Sequence, residues 1–300
     1  MTKRTDEFVN YHITGDGECN SIVLAEWANA HNLTAQERYE LAYFFAITYC
    51  VGSAIYIFLN KKDVGKAPRA WAEQNKDKII FQSDRKYIRM KDSFARCLLA
   101  FADYCDVDDF LKKVKTGDKL DFAKAIPYVS SWVLFGRFSA FLFLEMFIYL
   151  YPMEFTEVSI EWKKGNTATS GLLNVFGLDK EADMFDKTGK LWRDTNQLDF
   201  MLSALKIQIA AEHGNTNVTT IETSLCAYRK FFKQSRYNGF YLDRMLEEIH
   251  AMEKDHAQIC AELCQIRARC FQPKYLGELG GWRGVRKEMK KSYMQTGMII

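Results

Sequence analysis

WVLFGRFSAFLFLEMFIYLY (residues 132–151) is the most apolar stretch of the chain, with one cation, Arg137, near its middle and one anion, Glu145, further along. Three readings compete for it: a membrane span, a helix buried for packing alone, or a helix buried at an active site. The stretch is long enough to cross a bilayer, which takes about 20 apolar residues. Against that, Arg137 at the bilayer centre would cost roughly 2.5–3.5 kcal/mol. No second span accompanies it, and its flanks show no clean Lys/Arg asymmetry. A central helix over 128–150, buried on nearly all sides of a soluble helical protein, is the better reading. A charge in that setting needs a partner or an anionic ligand, because an unpaired charge away from water is too costly. Eight residues of straight helix span about 12 Å, so Arg137 and Glu145 must each meet another element or a ligand.

Working outward, nearly every periodic segment reads as helix, and the fold class is all-α. Thr34-Ala-Gln-Glu37 is a capping box opening a helix to Leu59, and Thr219-Thr-Ile-Glu222 opens another to Gln234. Further helices are expected near 20–31, 68–75, 90–104, 106–115, 119–126, 170–177, 194–212, 240–270 and 284–296, with Pro127 breaking the chain just before the central one. KIIFQ (78–82) and EVSIEW (157–162) allow at most one small hairpin. GNTATSG (165–171) reads as a loop and 179–190 as a polar, exposed stretch. No linker divides the chain, so residues 1–300 are expected to form one helical domain. The amino terminus lacks an apolar signal segment, and eight scattered cysteines favour a reducing cytoplasm over a disulfide framework.

A net charge of +3 does not by itself imply nucleic acid, but the charge is uneven. Basic runs cover Lys76–Lys91 and Arg267–Lys291. In ETSLCAYRKFFKQSRYNGFYLDR (222–244), helical spacing turns Tyr228, Phe231 and Phe232 inward and Arg229, Lys230 and Lys233 outward; Arg236, Tyr237, Tyr241, Asp243 and Arg244 follow. Cations interleaved with aromatic rings suit nucleic acid, since cations neutralise phosphates and rings stack on unpaired bases; a basic solvent face over an aromatic core face explains the same pattern. LGELGGWRGVRKEMKK (276–291) puts glycines before a helix, with Arg283 and Arg286 placed to clamp an anion, and FQSDRKYIRMKDSF (81–94) offers Arg85 and Lys86. His256, Cys260 and Cys264 rise about 12 Å along one helix face, too far apart for one ion, so core packing is expected and no metal or other cofactor is. YHITGDGECNS (11–21) is by itself a polar loop.

Together, YHIT near the start, ELAYFFAITYCVGSA (40–54), FQSDRKYIRMKDSF (81–94), GRFSAFLFLE (136–145), ETSLCAYRKFFKQSRYNGFYLDR (222–244) and LGELGGWRGVR (276–286) resemble the amino acid:DNA transferases of bacteriophages, relatives of the α-glutamyl/putrescinyl-thymine pyrophosphorylases. The resemblance implies a DNA-glycosylase-like helical architecture and an enzyme of the host cytoplasm. It implies transfer of an amine from an amino acid or polyamine onto the 5-methylene of pyrophosphorylated 5-hydroxymethyluracil in double-stranded phage DNA, with release of pyrophosphate. On that reading Arg137, Arg229, Arg236 and Arg244 face the leaving group, Glu145 or Asp243 takes the amine proton, and Tyr237 and Tyr241 hold an extruded nucleotide. Arg85, Lys86, Lys230, Lys233, Arg283 and Arg286 contact DNA. A helical glycosylase and a noncatalytic nucleic-acid-binding protein are the alternatives.

Overall fold

The computed structural model describes residues 3–82, 85–90, 92–151, 153–156, 158, 160–163, 166–214, 216–233 and 236–272. In chain order these form α1 (Lys3–His12), α2 (Cys19–Ala30), α3 (Ala35–Thr48), α4 (Val51–Leu59), α5 (Lys61–Lys66), α6 (Pro68–Asn75), α7 (Lys86–Arg89), α8 (Ser93–Tyr104) and α9 (Val107–Val114). A hairpin of β1 (Lys115–Thr116) and β2 (Lys119–Leu120) follows, then α10 (Phe122–Ser130), α11 (Arg137–Leu150), α12 (Asn166–Val175), α13 (Asp179–Thr188), α14 (Thr195–His213), α15 (Val218–Phe232) and α16 (Phe240–Cys270). The protein is all-α. Its contacts divide it into two compact units, one built on Met1–Cys19 and Ile160–Arg244, the other on Asn20–Ser159 and Met245–Cys270.

In the second unit α3 is the central element, packed along α4 and α11. It starts where the sequence says it should, with the Thr34–Glu37 capping box complete, but it stops at Tyr49, whose left-handed backbone (φ 55°) breaks the expected helix to Leu59 in two. Its packing is aromatic: Tyr39 and Tyr43 join Phe110 of α9, Trp132, and Phe143 and Phe147 of α11, largely edge to face, and the two tyrosine hydroxyls donate to the carbonyls of Tyr104 and Cys97. Edge-to-face contact aims positive ring edges at negative faces, so an aromatic core gains over its buried area alone.

The expected central helix over 128–150 is also two helices. Pro127 lies inside α10, the chain turns through residues 131–136 with Leu134 left-handed (φ 61°), and Gly136 in extended conformation precedes α11. Arg137 is therefore the first residue of α11 and half-buried, not a charge sunk mid-helix. Trp132 and Phe135 are buried although they are not helical, so the apolar run marked burial rather than helicity. Among the described residues, no helix is long and apolar enough to cross a membrane.

The first unit packs α12 against α13 and α15, with α1 and α14 completing a core of Phe8, Leu172, Leu205, Leu225 and Tyr228. Several expectations change here. Residues 166–171 begin α12 instead of forming a loop, and α13 occupies 179–188. The cap of α15 is Asn217, whose side chain accepts the Thr219 N–H, in place of the expected Thr219–Glu222 box. The hairpin sits at 115–120, around Gly117, and residues 79–82 carry no strand. All eight cysteines are free thiols.

Gly171 lets α12 and α15 touch: a Cβ there would lie 2.2 Å from the Leu225 carbonyl oxygen. Since backbone cannot yield as a flexible side chain can, Gly171→Ala is expected to lower the unfolding free energy by about 1–3 kcal/mol, measured by denaturant titration. Gly65→Ala, where nothing lies within 4 Å, is expected to leave stability unchanged or slightly higher.

Candidate functional site

In the second unit three of the quoted stretches meet. Gln82 and Arg85 dock on the carboxyl-terminal turn of α3: the Gln82 N–H donates to the Thr48 carbonyl (3.1 Å) and Arg85 Nε to the Ala46 carbonyl (2.9 Å). A cation at this end of a helix answers the negative pole of the helix dipole. Arg85 is only 2% exposed, and its guanidinium carbon lies 4.8 Å from the centre of the Phe138 ring. Phe138, next to Arg137 at the start of α11, is 51% exposed, and Tyr49 meets it edge-on. The Tyr87 hydroxyl donates to the Leu134 carbonyl (3.1 Å), and the Gln82 amide donates to Glu248 on α16 (3.0 Å). Two of the three non-glycine residues in left-handed conformation among the described residues, Tyr49 and Leu134, belong to this corner. Such backbone is held only where the surroundings over-determine it, and it gathers at functional sites.

Gln82 and Glu248 are residues that sequence reasoning missed. Gln82 stands inside the basic run Lys76–Lys91 as an uncharged residue between its charges. Glu248 looks like any acid on a long helix, and only its partner 166 positions away distinguishes it. Glu145 is buried in α11. Lys86 is exposed on α7.

In the first unit the 222–244 stretch folds differently from its helical spacing. Arg229 does not point outward: it is 3% exposed and ion-paired to Asp183 (2.8 Å) and Asp186 (2.6 Å), with Asn174 Oδ1 as a further acceptor. Lys233 pairs with Asp186 as well (2.6 Å). These cations tie α15 to α12 and α13. Tyr237 is buried and gives its hydroxyl to Asp243 (2.6 Å), so its ring is no open stacking platform. Arg236 lies over the rings of Phe240 (4.6 Å) and Tyr241 (4.7 Å) and donates to the Tyr241 hydroxyl. Lys230 and Arg244 are half-buried. Arg283 and Arg286, with the glycine-rich stretch around them, lie outside the described residues.

The amino-terminal polar loop is the anchor of this arrangement. Ser224 Oγ donates to Glu18 (3.2 Å) and stands 2.8 Å from His12 Nδ1, while His12 Nε2 faces Thr216 (3.3 Å). Burial, with His213 nearby, lowers the His12 pKa to about 4. Neutral at pH 7, its ring donates from Nδ1 to Ser224 and accepts from Thr216. Serine and carboxylate share one imidazole nitrogen, and Ser224 is buried, so this is a tether between α1, the loop and α15 rather than a nucleophile relay. Two residues of the His256–Cys260–Cys264 row in α16 make packing contacts: His256 sits at a kink in the helix and stacks on Tyr56, and Cys260 donates to the Ile249 carbonyl.

A family model described as amino acid:DNA transferase matches residues 27–237. That segment holds Gln82, Arg85, Arg137, Phe138, Arg229 and Arg236; Asp16 and the start of α16 fall outside it. No curated protein and no solved structure matches the chain.

Arg229→Met removes the cation and leaves Asp183, Asp186 and Asn174 facing one another. The unfolding free energy at pH 7 is expected to fall by about 3 kcal/mol, the low end for a broken buried pair, because the Asp183 side chain is 53% exposed. The hydrogen bond from Arg229 holds the Asp183 carboxyl below its ordinary 3.8. Its stabilisation is therefore complete above that value and lost as pH falls through the lower folded-state value. Urea titrations at pH 7 and pH 3 should show the gap between wild type and variant closing in acid.

Proposed function

Because the chain belongs to the amino acid:DNA transferase family, and is thus a transferase acting on DNA, we propose that it exchanges pyrophosphate for an amine at the 5-methylene of pyrophosphorylated 5-hydroxymethyluracil. The C–O bond to pyrophosphate breaks with both electrons leaving on oxygen. The amine lone pair forms the C–N bond, and one ammonium proton passes to a carboxylate and then to solvent. Atoms and charge balance without an oxidant or reductant.

The observation that carries this reading is the pairing of Arg85 with a half-exposed Phe138, with Arg137 as the next residue before it. Guanidinium groups fixed before the reaction stabilise charge as it develops on a polyanionic leaving group, and need no reorganisation to do so. The exposed Phe138 ring beside Arg85 offers a stacking face to a pyrimidine taken out of the duplex, as chemistry on a base within DNA requires. Glu248, half-buried and oriented by Gln82, suits the amine proton better than Glu145 or Asp243, which are both buried. Lys86 on α7, and Arg236 with Tyr241 in the first unit, supply DNA contacts.

Pyrophosphate release from DNA carrying the pyrophosphorylated base, with an amino acid mixture present, tests the assignment. Phe138→Ala is expected to lower kcat/KM by roughly 5–150-fold, the equivalent of one lost base stack. Arg137→Ala should lower kcat by about 10²-fold. Wild-type rates in both variants, with unchanged melting, would remove this corner from the reaction.

A further inference from the structure

Asp16 lies outside the family segment, is 0% exposed, and receives only donors. Its Oδ1 accepts the backbone N–H groups of Tyr241 (2.9 Å) and Leu242 (3.0 Å), its Oδ2 accepts the Tyr11 hydroxyl (3.2 Å), and the Gly239 N–H points to it as well. The residue at the head of α16 is Gly239, left-handed at φ 90° and without a side chain to cap the helix. The cap is thus delivered from a loop 225 residues away. Thr14 braces that loop: its hydroxyl donates to the Tyr11 carbonyl (2.7 Å) and receives the Asp16 N–H (3.2 Å).

We propose that Asp16 is a positioning residue for DNA binding, its buried carboxylate setting the turn from Arg236 to Asp243 in the one shape that presents Arg236 and Tyr241 to the nucleic acid. This rests on the assignment of those two side chains as DNA contacts, and not on the transfer chemistry. Capping alone does not call for a charge here, since asparagine supplies the same oxygen to two backbone donors. Burial in fact works against the charge, raising the Asp16 pKa to about 6 despite the four hydrogen bonds. What the charge adds is an anion beside the Arg236–Tyr241 pair, where it opposes the effect of Arg236 and Arg244 on Tyr241. The titratable and charged groups around it are Tyr11 and Cys19 on the amino-terminal side, Tyr241 on α16, and Arg236, Arg244 and Cys226 about Tyr241. A protonated Asp16 would turn an O–H toward donors, so the turn loosens as pH falls through about 6.

The test measures affinity for duplex DNA containing 5-hydroxymethyluracil by fluorescence anisotropy, from pH 5 to pH 8 at fixed salt, with melting of each protein alongside. Asp16→Ala is expected to weaken binding at pH 8 at least tenfold. Asp16→Asn should lose affinity at pH 8 and lose the wild-type acid limb near pH 6. Its stability should not fall at pH 8: a carboxylate whose folded pKa is raised loses stability as pH rises from about 4 to about 6, and asparagine is relieved of that cost. Affinity falling while stability holds is a combination that a merely structural residue would not give. Adding Arg236→Ala to Asp16→Ala should weaken binding no further than Asp16→Ala alone, since Asp16 acts through the contacts that Arg236 and Tyr241 make. If Asp16→Ala does not fold, Tyr11→Phe removes one donor and should move the acid limb to higher pH. Unchanged affinity and an unchanged acid limb in Asp16→Asn, or additive losses in the double variant, overturn the proposal. Wild-type protein that binds DNA as described but yields no transfer product would refute the chemistry and leave the role of Asp16 standing.

Discussion

Taking a guanidinium out of water costs several kcal/mol unless its charge and its N–H groups are answered. The second unit takes Arg85 out of water almost completely. It answers the charge with the carbonyl-rich end of α3 and the face of Phe138, which is why the chain must stop α3 at Tyr49, bring Gln82 and Arg85 against its end, and begin α11 at Arg137. Each of those breaks in regular structure is otherwise unfavourable, and two are marked by left-handed residues with side chains. A buried cation held in place before any ligand arrives is what a reaction with a departing polyanion needs. The same constraint thus accounts for the local fold and for the chemistry proposed for it.

The first unit solves a similar problem in another way. Arg229 is answered by acids, Asp183 and Asp186, and so its charge is spent on joining α15 to α13. Arg236 lies over the rings of Phe240 and Tyr241 and donates to the Tyr241 hydroxyl, with the Asp16 carboxylate beyond that phenol. Two arginines seven residues apart in one basic-aromatic stretch therefore do different work. The difference lies in what other segments bring to them, namely α13 in one case and the 14–16 loop, through the cap of α16, in the other.

This marks the limit of what the residues alone reveal. The helical class, the Thr34 cap and the helical run from 240 to 270, kinked at His256, are legible because they are written in local periodicity. The breaks at Tyr49 and 131–136 are not, because apolar residues continue through them and hydrophobicity reports burial in either conformation. The inward turn of Arg229 is hidden for a related reason: helical spacing says which residues share a face, and only α13 decides that this face is covered. Asp16 and Glu248 are the clearest cases. Each has partners more than 160 positions away, and neither has a neighbour that marks it.

The central claim is that an amine replaces pyrophosphate while the base stays on its sugar. Mass analysis of nucleosides digested from pyrophosphorylated 5-hydroxymethyluracil DNA, after incubation with the protein and ¹⁵N-labelled amino acids, tests it most directly. The account predicts a thymidine derivative bearing one labelled amine at the 5-methylene, formed in equal amount to the inorganic pyrophosphate released. Abasic sites in place of a new nucleoside, or pyrophosphate released without label entering the base, would contradict it.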